Sequence, residues 1–211
     1  MPVPHSRKRI LNAGAGSSRP GRLSGLLTRS DWEEIRLDID PNTNPDMVGS
    51  VCDLSSLFSP ASFDAILCSH VLEHLYAHEV YPVMVQFRTV LKPDGFALIM
   101  CPDLMAAAEQ LLENGLAGIV YNAPVGPIRV LDLFYGHSQS IEQGHHYMAH
   151  RTGFTSERLG NLLLQAGFPT VNARSDQNFE LCAVAFMEYA DQDGIQSMLA
   201  SSGFDLREAV A

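Results

Sequence analysis

The amino-acid sequence predicts an α/β protein with a doubly wound, mostly parallel sheet. Seven short apolar runs have the length and composition of buried strands, and helical or turn-rich segments separate the first five of them. Strands that alternate with helices require right-handed crossovers, which place helices on both faces of a parallel sheet. The last two runs are close together and predict an antiparallel hairpin. The expected core is therefore a seven-stranded, mostly parallel sheet with an antiparallel C-terminal hairpin.

The order of the elements follows from where the apolar runs begin and end. The predicted strands cover residues 9–13, 34–40, 47–51, 63–69, 96–101, 169–175 and 180–187. The predicted helices cover residues 21–28, 71–91, 103–116 and 155–166, with one or two more at 191–211. Thr155 or Ser156 is the expected N-cap of the 155–166 helix, and Gly167 is the residue expected to end it.

Segment 103–151, which follows the fifth predicted strand, is the least regular part of the chain. After its predicted helix it has no clear periodicity, and it holds the aromatic residues Tyr121, Phe134, Tyr135 and Tyr147. A segment this long is usually a lid or a binding element. We expect it to be a substrate-side lid within a single domain over residues 1–211, because a chain of 211 residues suits one α/β domain better than two.

The charge of the chain limits the classes of partner. Its net charge is −10, from 24 acidic and 14 basic residues, and seven of the basic residues lie within the first 36 positions. Nucleic-acid binding requires a basic face that neutralises phosphates, so the sequence predicts no nucleic-acid partner. No apolar run approaches the roughly eighteen residues of a membrane span, and the N-terminus lacks the apolar core of a signal peptide. We therefore expect a cytoplasmic protein without a membrane span; its oligomeric state is not predicted.

The four cysteines are widely spaced and lie in apolar, strand-like runs. They are Cys52, Cys68, Cys101 and Cys182. A metal site or a disulfide framework would require closer or paired spacing. The pattern predicts buried thiols.

Two glycines directly after the first predicted strand indicate a ligand-binding turn. Gly14 and Gly16 allow a tight turn and the close approach of a ligand to the backbone. A dinucleotide fingerprint would place a third glycine at position 19, where this chain has Arg19. The turn therefore favours a nucleoside ligand without a pyrophosphate.

An aspartate at the end of the second predicted strand supports the same ligand class. Asp38 lies 24 residues after Gly14, about the separation at which a carboxylate accepts hydrogen bonds from ribose hydroxyls. Asp40 is the alternative, but it precedes Pro41 in a turn, whereas apolar residues flank Asp38. A second alternative is that either aspartate merely caps the loop.

Four segments of the chain together resemble a known family. They are ILNAGAG at 10–16, RLDIDP at 36–41, FDAILCSHVLEHL at 63–75 and VLKPDGFALIMCPD at 90–103. In this order they are similar to the successive motifs of class I S-adenosylmethionine-dependent methyltransferases, and most similar to the type 11, or UbiE-like, branch. The resemblance covers about residues 8–103, and GFTSERLGNLLLQAGF at 153–168 extends it. It implies a Rossmann-like methyltransferase fold with S-adenosylmethionine as the cofactor.

The resemblance also implies which residues bind that cofactor. Those expected near its methionine and ribose parts are Asn12, Ala13, Gly14, Gly16 and Asp38. Those expected near adenine are Ile39, Cys52 and Asp53, and those expected to face the sulfonium are Cys68, Ser69 and His70. The chain departs from the family in two places, since Asn12 stands where many relatives have an acid and Ser18 where they have a third glycine. Ser50 is an alternative to Asp53 at the adenine position.

Several histidines are candidates for a general base. A carbon or hydroxyl nucleophile must lose a proton during methyl transfer, and a histidine with a pKa near neutrality suits that task. His70 follows the fourth predicted strand, and His145, His146 and His150 lie in segment 103–151. The alternative for loop histidines is hydrogen bonding or substrate contact. His146 and His150 have the i, i+4 spacing of two ligands on one helix face, but this spacing alone is no metal signature, so no metal is predicted.

The function expected from these features is S-adenosylmethionine-dependent methyl transfer to a small-molecule acceptor. In-line attack of the acceptor on the sulfonium methyl requires mainly the alignment of two bound partners. The aromatic residues of segment 103–151 suggest a partly apolar or sugar-like acceptor. One alternative is a non-catalytic cofactor-binding or partner subunit with the same fold. Another is a nicotinamide-dependent oxidoreductase, which the missing third glycine disfavours.

Overall fold

A computed structural model describes residues 7–17, 25, 29–123, 125–176, 179–204 and 206. Ser18 and, apart from Gly25, the helix predicted at 21–28 lie outside these residues. Among the helices of the described residues, none is long and apolar enough to span a membrane.

Within the described residues, nine strands form one large sheet and one small hairpin. In chain order they are β1 (Lys8–Ala13), β2 (Trp32–Asp38), β3 (Met47–Val48), β4 (Phe63–Ser69), β5 (Leu91–Pro102), β6 (Ile119–Ala123), β7 (Gly126–Arg129), β8 (Thr170–Ser175) and β9 (Glu180–Phe186). The large sheet has seven strands in the order β3-β2-β1-β4-β5-β9-β8. Strands β1 to β5 are parallel, and β9 runs antiparallel to both β5 and β8. The predicted fold class is confirmed.

In the described part of the chain, seven α-helices accompany the strands. They are α1 (Leu54–Leu57), α2 (Ala77–Val90), α3 (Leu104–Asn114), α4 (Val130–Tyr135), α5 (Ser138–Glu142), α6 (Ser156–Gln165) and α7 (Gln192–Ser201). Short 3-10 turns lie at Pro41–Thr43, Val51–Asp53, Leu72–His74 and His146–Met148. The predicted cap of α6 is confirmed, since the Thr155 side chain accepts a hydrogen bond from the Arg158 backbone N–H.

The helix predicted at 71–91 is divided in two. Its first part is the 3-10 turn Leu72–His74, which we call the LEH turn, and its second part is α2. Leu75 and Tyr76 between them have extended backbones. The Glu79 carboxylate accepts a hydrogen bond from the Tyr76 backbone N–H at 2.7 Å, which satisfies a donor at the start of α2. The helical periodicity did not reveal this break.

Two predicted strands are shorter than expected because a side chain caps the turn that follows each of them. The strand predicted at 34–40 ends at Asp38, since Asp40 accepts a hydrogen bond from the Asn42 backbone N–H and starts the turn Pro41–Thr43. The strand predicted at 47–51 ends at Val48, since Ser50 caps the next turn in the same way. The side-chain oxygens thus offer the backbone a partner other than a neighbouring strand.

The KPDG segment, residues 92–95, separates the predicted helix 71–91 from the predicted strand 96–101, and it forms an irregularity inside β5. The register with β4 passes from the Phe63↔Leu91 pair to the Ala65↔Phe96 pair, so residues 92–95 bulge from the ladder. Lys92 closes the bulge through an ion pair with Asp64 at 2.8 Å. Strand β5 therefore begins at Leu91, earlier than the strand predicted at 96–101.

Apolar clusters cover both faces of the large sheet. Alternate residues of β4 point to opposite faces: Ile66 and Cys68 pack with α2 and α6, whereas Ala65 and Leu67 pack with Trp32 and α7. Strands buried on both faces explain why these runs are continuously apolar. Three of the four cysteines, Cys68, Cys101 and Cys182, are buried thiols, as predicted, and Cys52 is half-buried.

Segment 103–151 is more regular than expected. It contains α3, the hairpin β6–β7, α4 and α5, and it has a small apolar cluster of its own around Ala107, Ile128 and Leu133. The hairpin strands are mostly exposed, so their sequence lacks the apolar run that marked the strands of the main sheet.

Candidate active site

The carboxyl ends of β1, β2 and β4 meet at one edge of the sheet. Strand β1 lies between β2 and β4, so the chain changes direction along the sheet at this point. In open α/β sheets, ligands bind in the crevice at such a switch point. Ala13 pairs with both Leu37 and Cys68, and the residues that follow these three therefore come together.

Gly14 and Gly16 form the turn after β1, as predicted. Both have positive φ, +78° and +57°. A Cβ on Gly14 would lie 2.2 Å from the Cγ2 of Val71, which belongs to the segment after β4. Only glycine allows this close approach, because both the backbone conformation and the space exclude a side chain.

The buried carboxylate of Asp38 connects the glycine turn to the loop after β2. Its Oδ2 accepts a hydrogen bond from the Gly16 backbone N–H at 2.7 Å, and its Oδ1 accepts one from the Asp40 N–H at 2.9 Å. Each carboxylate oxygen retains a second lone pair. Asp38 can therefore shape the turn and accept hydrogen bonds from a bound hydroxyl.

Arg36 holds the other side of the same loop. Its Nη2 donates to the Gly16 carbonyl at 2.5 Å, and its Nη1 donates to the Asn44 carbonyl at 2.8 Å. The sequence analysis missed this residue. The only sign of this role in the sequence is the position of Arg36 within the apolar strand β2, because a charged side chain there needs a partner.

The residues predicted to lie near adenine differ in how exposed their side chains are. Ile39 is 62% exposed and presents an apolar surface next to Asp38. Asp53 is exposed, whereas the Ser50 hydroxyl accepts a hydrogen bond from the Cys52 backbone N–H at 3.1 Å. Cys52 is half-buried, and its carbonyl accepts a hydrogen bond from Gln86. Of the two alternatives at the adenine position, Asp53 has the more accessible side chain.

Three further predicted residues are buried at the ends of β1 and β4. Ala13 and Cys68 are fully buried, so their side chains belong to the core and only their backbones face this edge. Asn12 is also buried, and its Nδ2 donates to Glu34 Oε1 at 2.7 Å. Glu34, on β2, is a second residue that the sequence analysis missed.

His70 lies directly after β4 in the left-handed backbone region, with φ +55°. Its Nδ1 is 3.2 Å from Glu73 Oε1, and its Nε2 is 2.8 Å from Glu180 Oε1, so its ring bridges the LEH turn and β9. Burial alone would lower the pKa of His70, but the hydrogen bonds with Glu180 and Glu73 outweigh it and raise the pKa to about 10. A protonated ring cannot accept a proton, and this geometry does not suit the general-base role expected from the sequence.

The three candidate histidines of segment 103–151, which are His145, His146 and His150, are separated in the structure. His145 and His146 are exposed, and the Nδ1 of His145 is 2.9 Å from the Tyr147 hydroxyl, which donates to Asp40 Oδ2 at 2.9 Å. His150 instead lies against the LEH turn. The predicted helix-face pair of His146 and His150 does not form, because the 3-10 turn ends at Met148 and the backbone is extended at Ala149.

The end of segment 103–151 docks on the LEH turn. The Arg151 backbone N–H donates to the Glu73 carbonyl at 2.8 Å, and its guanidinium Nη1 donates to the His74 carbonyl at 3.0 Å. The same guanidinium lies 4.8 Å from the centre of the Tyr76 ring. The ring centres of His74 and His150 are 5.1 Å apart, and burial lowers the pKa of His150.

Comparison with known proteins agrees with this geometry. Residues 11–99 match the model of a methyltransferase domain family, type 11. No curated protein matches the chain by sequence.

Solved structures share the fold at low sequence identity. A SAM-dependent methyltransferase from Archaeoglobus fulgidus is 14% identical with a TM-score of 0.55, over 85% of this chain and 86% of that one. A protein from Pyrococcus horikoshii is 18% identical with a TM-score of 0.57, over 86% and 82%. The 1,6-didemethyltoxoflavin-N1-methyltransferase of Burkholderia thailandensis, solved with 1,6-didemethyltoxoflavin and S-adenosylhomocysteine, is 18% identical with a TM-score of 0.53, over 86% and 72%.

The family match covers β1 to β5, the same part of the chain that builds the glycine turn, the Asp38 contacts and the end of β4. The similarity to the solved structures covers 85–86% of the chain and so extends beyond this part. Residues 11–99 are therefore similar to the methyltransferase domain of the type 11 family, and the chain shares the fold of solved methyltransferases.

Proposed function

We propose that this protein transfers the methyl group of S-adenosylmethionine to a small-molecule acceptor by in-line attack. The observation that carries the proposal is the buried Asp38 carboxylate, which connects the glycine turn to the β2 loop at the switch point of the sheet. The cofactor supplies an activated methyl group. The task of the protein is to bind and align the two partners, which can account for much of the rate.

The backbone and acidic groups at the sheet edge hold the nucleoside part. Asp38 accepts hydrogen bonds from the ribose hydroxyls through its remaining lone pairs, and the glycine turn admits the cofactor close to the backbone. The exposed Ile39 side chain packs against adenine, and Asp53 accepts a hydrogen bond from the adenine amino group.

Asn12 binds the amino-acid part in place of the usual acid. Because its Nδ2 donates to Glu34, the orientation of the side-chain amide is fixed and its Oδ1 remains as the acceptor. That oxygen and the backbone of Ala13 face the ammonium group of the cofactor. Glu34 has a positioning role, since it acts through Asn12.

His70 positions two carboxylates at the end of β4, where the sulfonium is expected. Both of its ring nitrogens are engaged, and it holds Glu73 and Glu180 at fixed places beside β4. With His70 in this role, His145 and His146 are the candidates for a general base in segment 103–151. His145 is the better placed, because its hydrogen bond to Tyr147 connects it to Asp40. Asp40 lies in the loop after β2, which we call the cofactor loop.

Segment 103–151 is the substrate-side lid in this proposal. Its contact between Tyr147 and Asp40 closes it over the cofactor loop, and it exposes the aromatic rings of Tyr121, Tyr135 and Tyr147 toward an acceptor or solvent. Aromatic surface suits a small, partly apolar molecule. The Burkholderia thailandensis enzyme, which has bound 1,6-didemethyltoxoflavin, supports an acceptor of this size. The net charge of −10 argues against nucleic acid.

Calorimetric titration with S-adenosylhomocysteine tests the cofactor site. The wild-type chain should bind it and should not bind NAD. Asp38→Ala should weaken the affinity by about 10- to 100-fold, since hydrogen bonds to a charged group contribute roughly 1.5–3 kcal/mol.

Asp40→Ala is the matched control, because Asp40 caps a neighbouring turn and should affect the affinity much less. Circular dichroism of both variants checks that they fold. The proposed cofactor position would be wrong if the wild-type and Asp38→Ala chains bound S-adenosylhomocysteine with equal affinity, or if the wild-type chain did not bind it. Binding without any methyl transfer to a panel of small heterocyclic, phenolic and sugar acceptors would favour a non-catalytic subunit.

A further inference from the structure

Glu73 combines complete burial with an unsatisfied oxygen. Glu73 is only 1% exposed, and its Oε1 is 3.2 Å from His70 Nδ1. Its Oε2 is buried and has no hydrogen-bond partner within the described part of the chain. A buried carboxylate oxygen without a partner is costly, and such a group in a folded protein calls for an explanation. An ion bound at this oxygen would provide one.

Two histidines lie beside the unsatisfied carboxylate. One ligand atom from each of Glu73, His74 and His150 lies within 4.8 Å of the other two. Ligands of a tetrahedral zinc ion are about 3.3 Å apart, so binding requires a contraction of roughly 1.5 Å or less. Small side-chain rotations can supply that contraction.

Backbone carbonyls orient both rings in the way that metal ligands require. His74 Nδ1 is 3.3 Å from the Ala149 carbonyl, and His150 Nδ1 is 3.1 Å from the Leu133 carbonyl. In this tautomer each Nδ1 donates, and each Nε2 carries the free lone pair. Histidines that bind a metal commonly donate their other ring N–H to a carbonyl or carboxylate.

We propose that Glu73, His74 and His150 bind a divalent first-row transition-metal ion of the zinc type. Two imidazoles and one carboxylate suit such an ion, whereas Mg²⁺ and Ca²⁺ prefer a shell of oxygens. Three protein ligands leave at least one coordination position for water.

The ion joins two parts of the molecule that are far apart in the chain. Glu73 and His74 belong to the LEH turn, and His150 belongs to the end of segment 103–151. Arg151 already links the same two parts through hydrogen bonds. The metal therefore fixes the end of segment 103–151 to the LEH turn, which follows strand β4 of the sheet. The site uses no residue assigned to the cofactor and does not depend on methyl transfer.

A titration with Co²⁺ tests the site. The full chain, produced without a histidine tag and stripped with a chelator, is titrated with Co²⁺ while its visible absorption is followed, and Zn²⁺ is then added as a competitor. The wild-type chain should bind one Co²⁺ per chain with bands of a four- or five-coordinate ion, and Zn²⁺ should displace it. His150→Ala, His74→Ala and Glu73→Gln should each weaken binding more than about 100-fold, since even second-shell changes cost 10- to 100-fold.

His137→Ala and the double variant His145→Ala/His146→Ala are the matched controls. These histidines lie in the same segment but outside the group, so both controls should bind Co²⁺ like the wild-type chain. Saturating Zn²⁺ should raise the Tm of the wild-type chain by several degrees and leave that of His150→Ala unchanged, because only a chain that binds the ion gains stability from it.

If Glu73→Gln does not fold, His150→Ala still tests the proposal. His150 is only half-buried, so its substitution should be tolerated. Absence of stoichiometric binding to the wild-type chain would overturn the site. Binding that survives His150→Ala, or that is lost in either control, would overturn it as well. None of these results would affect the cofactor test on Asp38.

Discussion

The edge that we propose for the cofactor consists of Gly14, Gly16 and Asp38, and we call it the cofactor edge. This edge and the LEH turn lie at the ends of neighbouring strands but are built in different ways. At the cofactor edge, the contacts are made by the backbone of the glycine turn and by Asp38, at the ends of paired strands. Around the LEH turn, His70, which precedes the turn, contacts Glu180, which is 110 positions away, and Arg151 contacts His74 across 77 positions. The first site depends on local conformation, and the second depends on how distant segments pack.

Substitutions should therefore act differently in the two regions. At the cofactor edge, a change of one atom should strain the backbone or disturb a buried pair. Along segment 103–151, contacts such as those of Tyr147 are exposed, so their loss should change the free energy of unfolding little and should be visible mainly in local motion.

The largest effect is expected for Gly14→Ala. The new Cβ would meet Val71 Cγ2 at 2.2 Å and would require positive φ, at a combined cost of about 3 kcal/mol in the free energy of unfolding. Thermal unfolding should show a drop in Tm of about 6–12 °C for a chain of this size. Gly144→Ala is the control, since Gly144 has φ +96° but nothing within 4 Å of an added Cβ. An equal loss in both variants would mean that the contact with Val71 does not matter.

A smaller effect is expected for Asn12→Asp, although it restores the residue type found in many relatives. The new carboxylate would face Glu34 Oε1, which is 2.7 Å from the present Asn12 Nδ2, and we expect a loss of about 2 kcal/mol at neutral pH. Repulsion raises the pKa of one carboxyl in the folded state, so the loss should grow as the pH rises above the ordinary carboxyl range and fade below it.

Chemical denaturation of the double variant Asn12→Asp/Glu34→Gln checks the cause. If repulsion between the two carboxylates is responsible, the double variant should recover most of the lost stability. A double variant as unstable as Asn12→Asp would show that the damage arises elsewhere in the turn.

The smallest effect is expected for Tyr147→Phe. This change removes the hydroxyl that bridges His145 and Asp40, an exposed contact that should contribute only about 0.5 kcal/mol. Hydrogen exchange of the backbone amides at 145–148 should accelerate about twofold, with no resolved change in Tm. Tyr135→Phe, an exposed tyrosine of the same segment, should leave that exchange unchanged. Unchanged exchange in Tyr147→Phe would mean that this contact does not hold the segment closed.

The parts of the fold that were predicted correctly are those with a local physical signal. The strands of the main sheet are buried on both faces, and their continuous apolar runs identified them. Gly14, Gly16 and Asp38 were placed by their position at strand ends alone, because parallel strands bring their carboxyl ends to one edge. The hairpin β6–β7 was missed because its exposed strands carry no such run.

The pairing of charged and polar side chains could not be predicted in this way. The spacing of His146 and His150 suggested a helix face, yet the structure places His150 beside Glu73 and His74 and leaves His146 exposed. His70 was expected to be a base, and only the position of β9 shows that Glu180 engages its second nitrogen. Neither contact has a counterpart in the local spacing of residues.

The sequence by itself determined the fold class, the order of most elements and the glycine turn after the first strand, because hydrophobic periodicity and the conformational freedom of glycine act over a few residues. Only the tertiary structure decided the partners of His70, the grouping of Glu73 with His74 and His150, and the contact of Tyr147 with Asp40. These contacts depend on the packing of segments about 75 to 110 positions apart, and the short-range forces between side chains act only after that packing has formed.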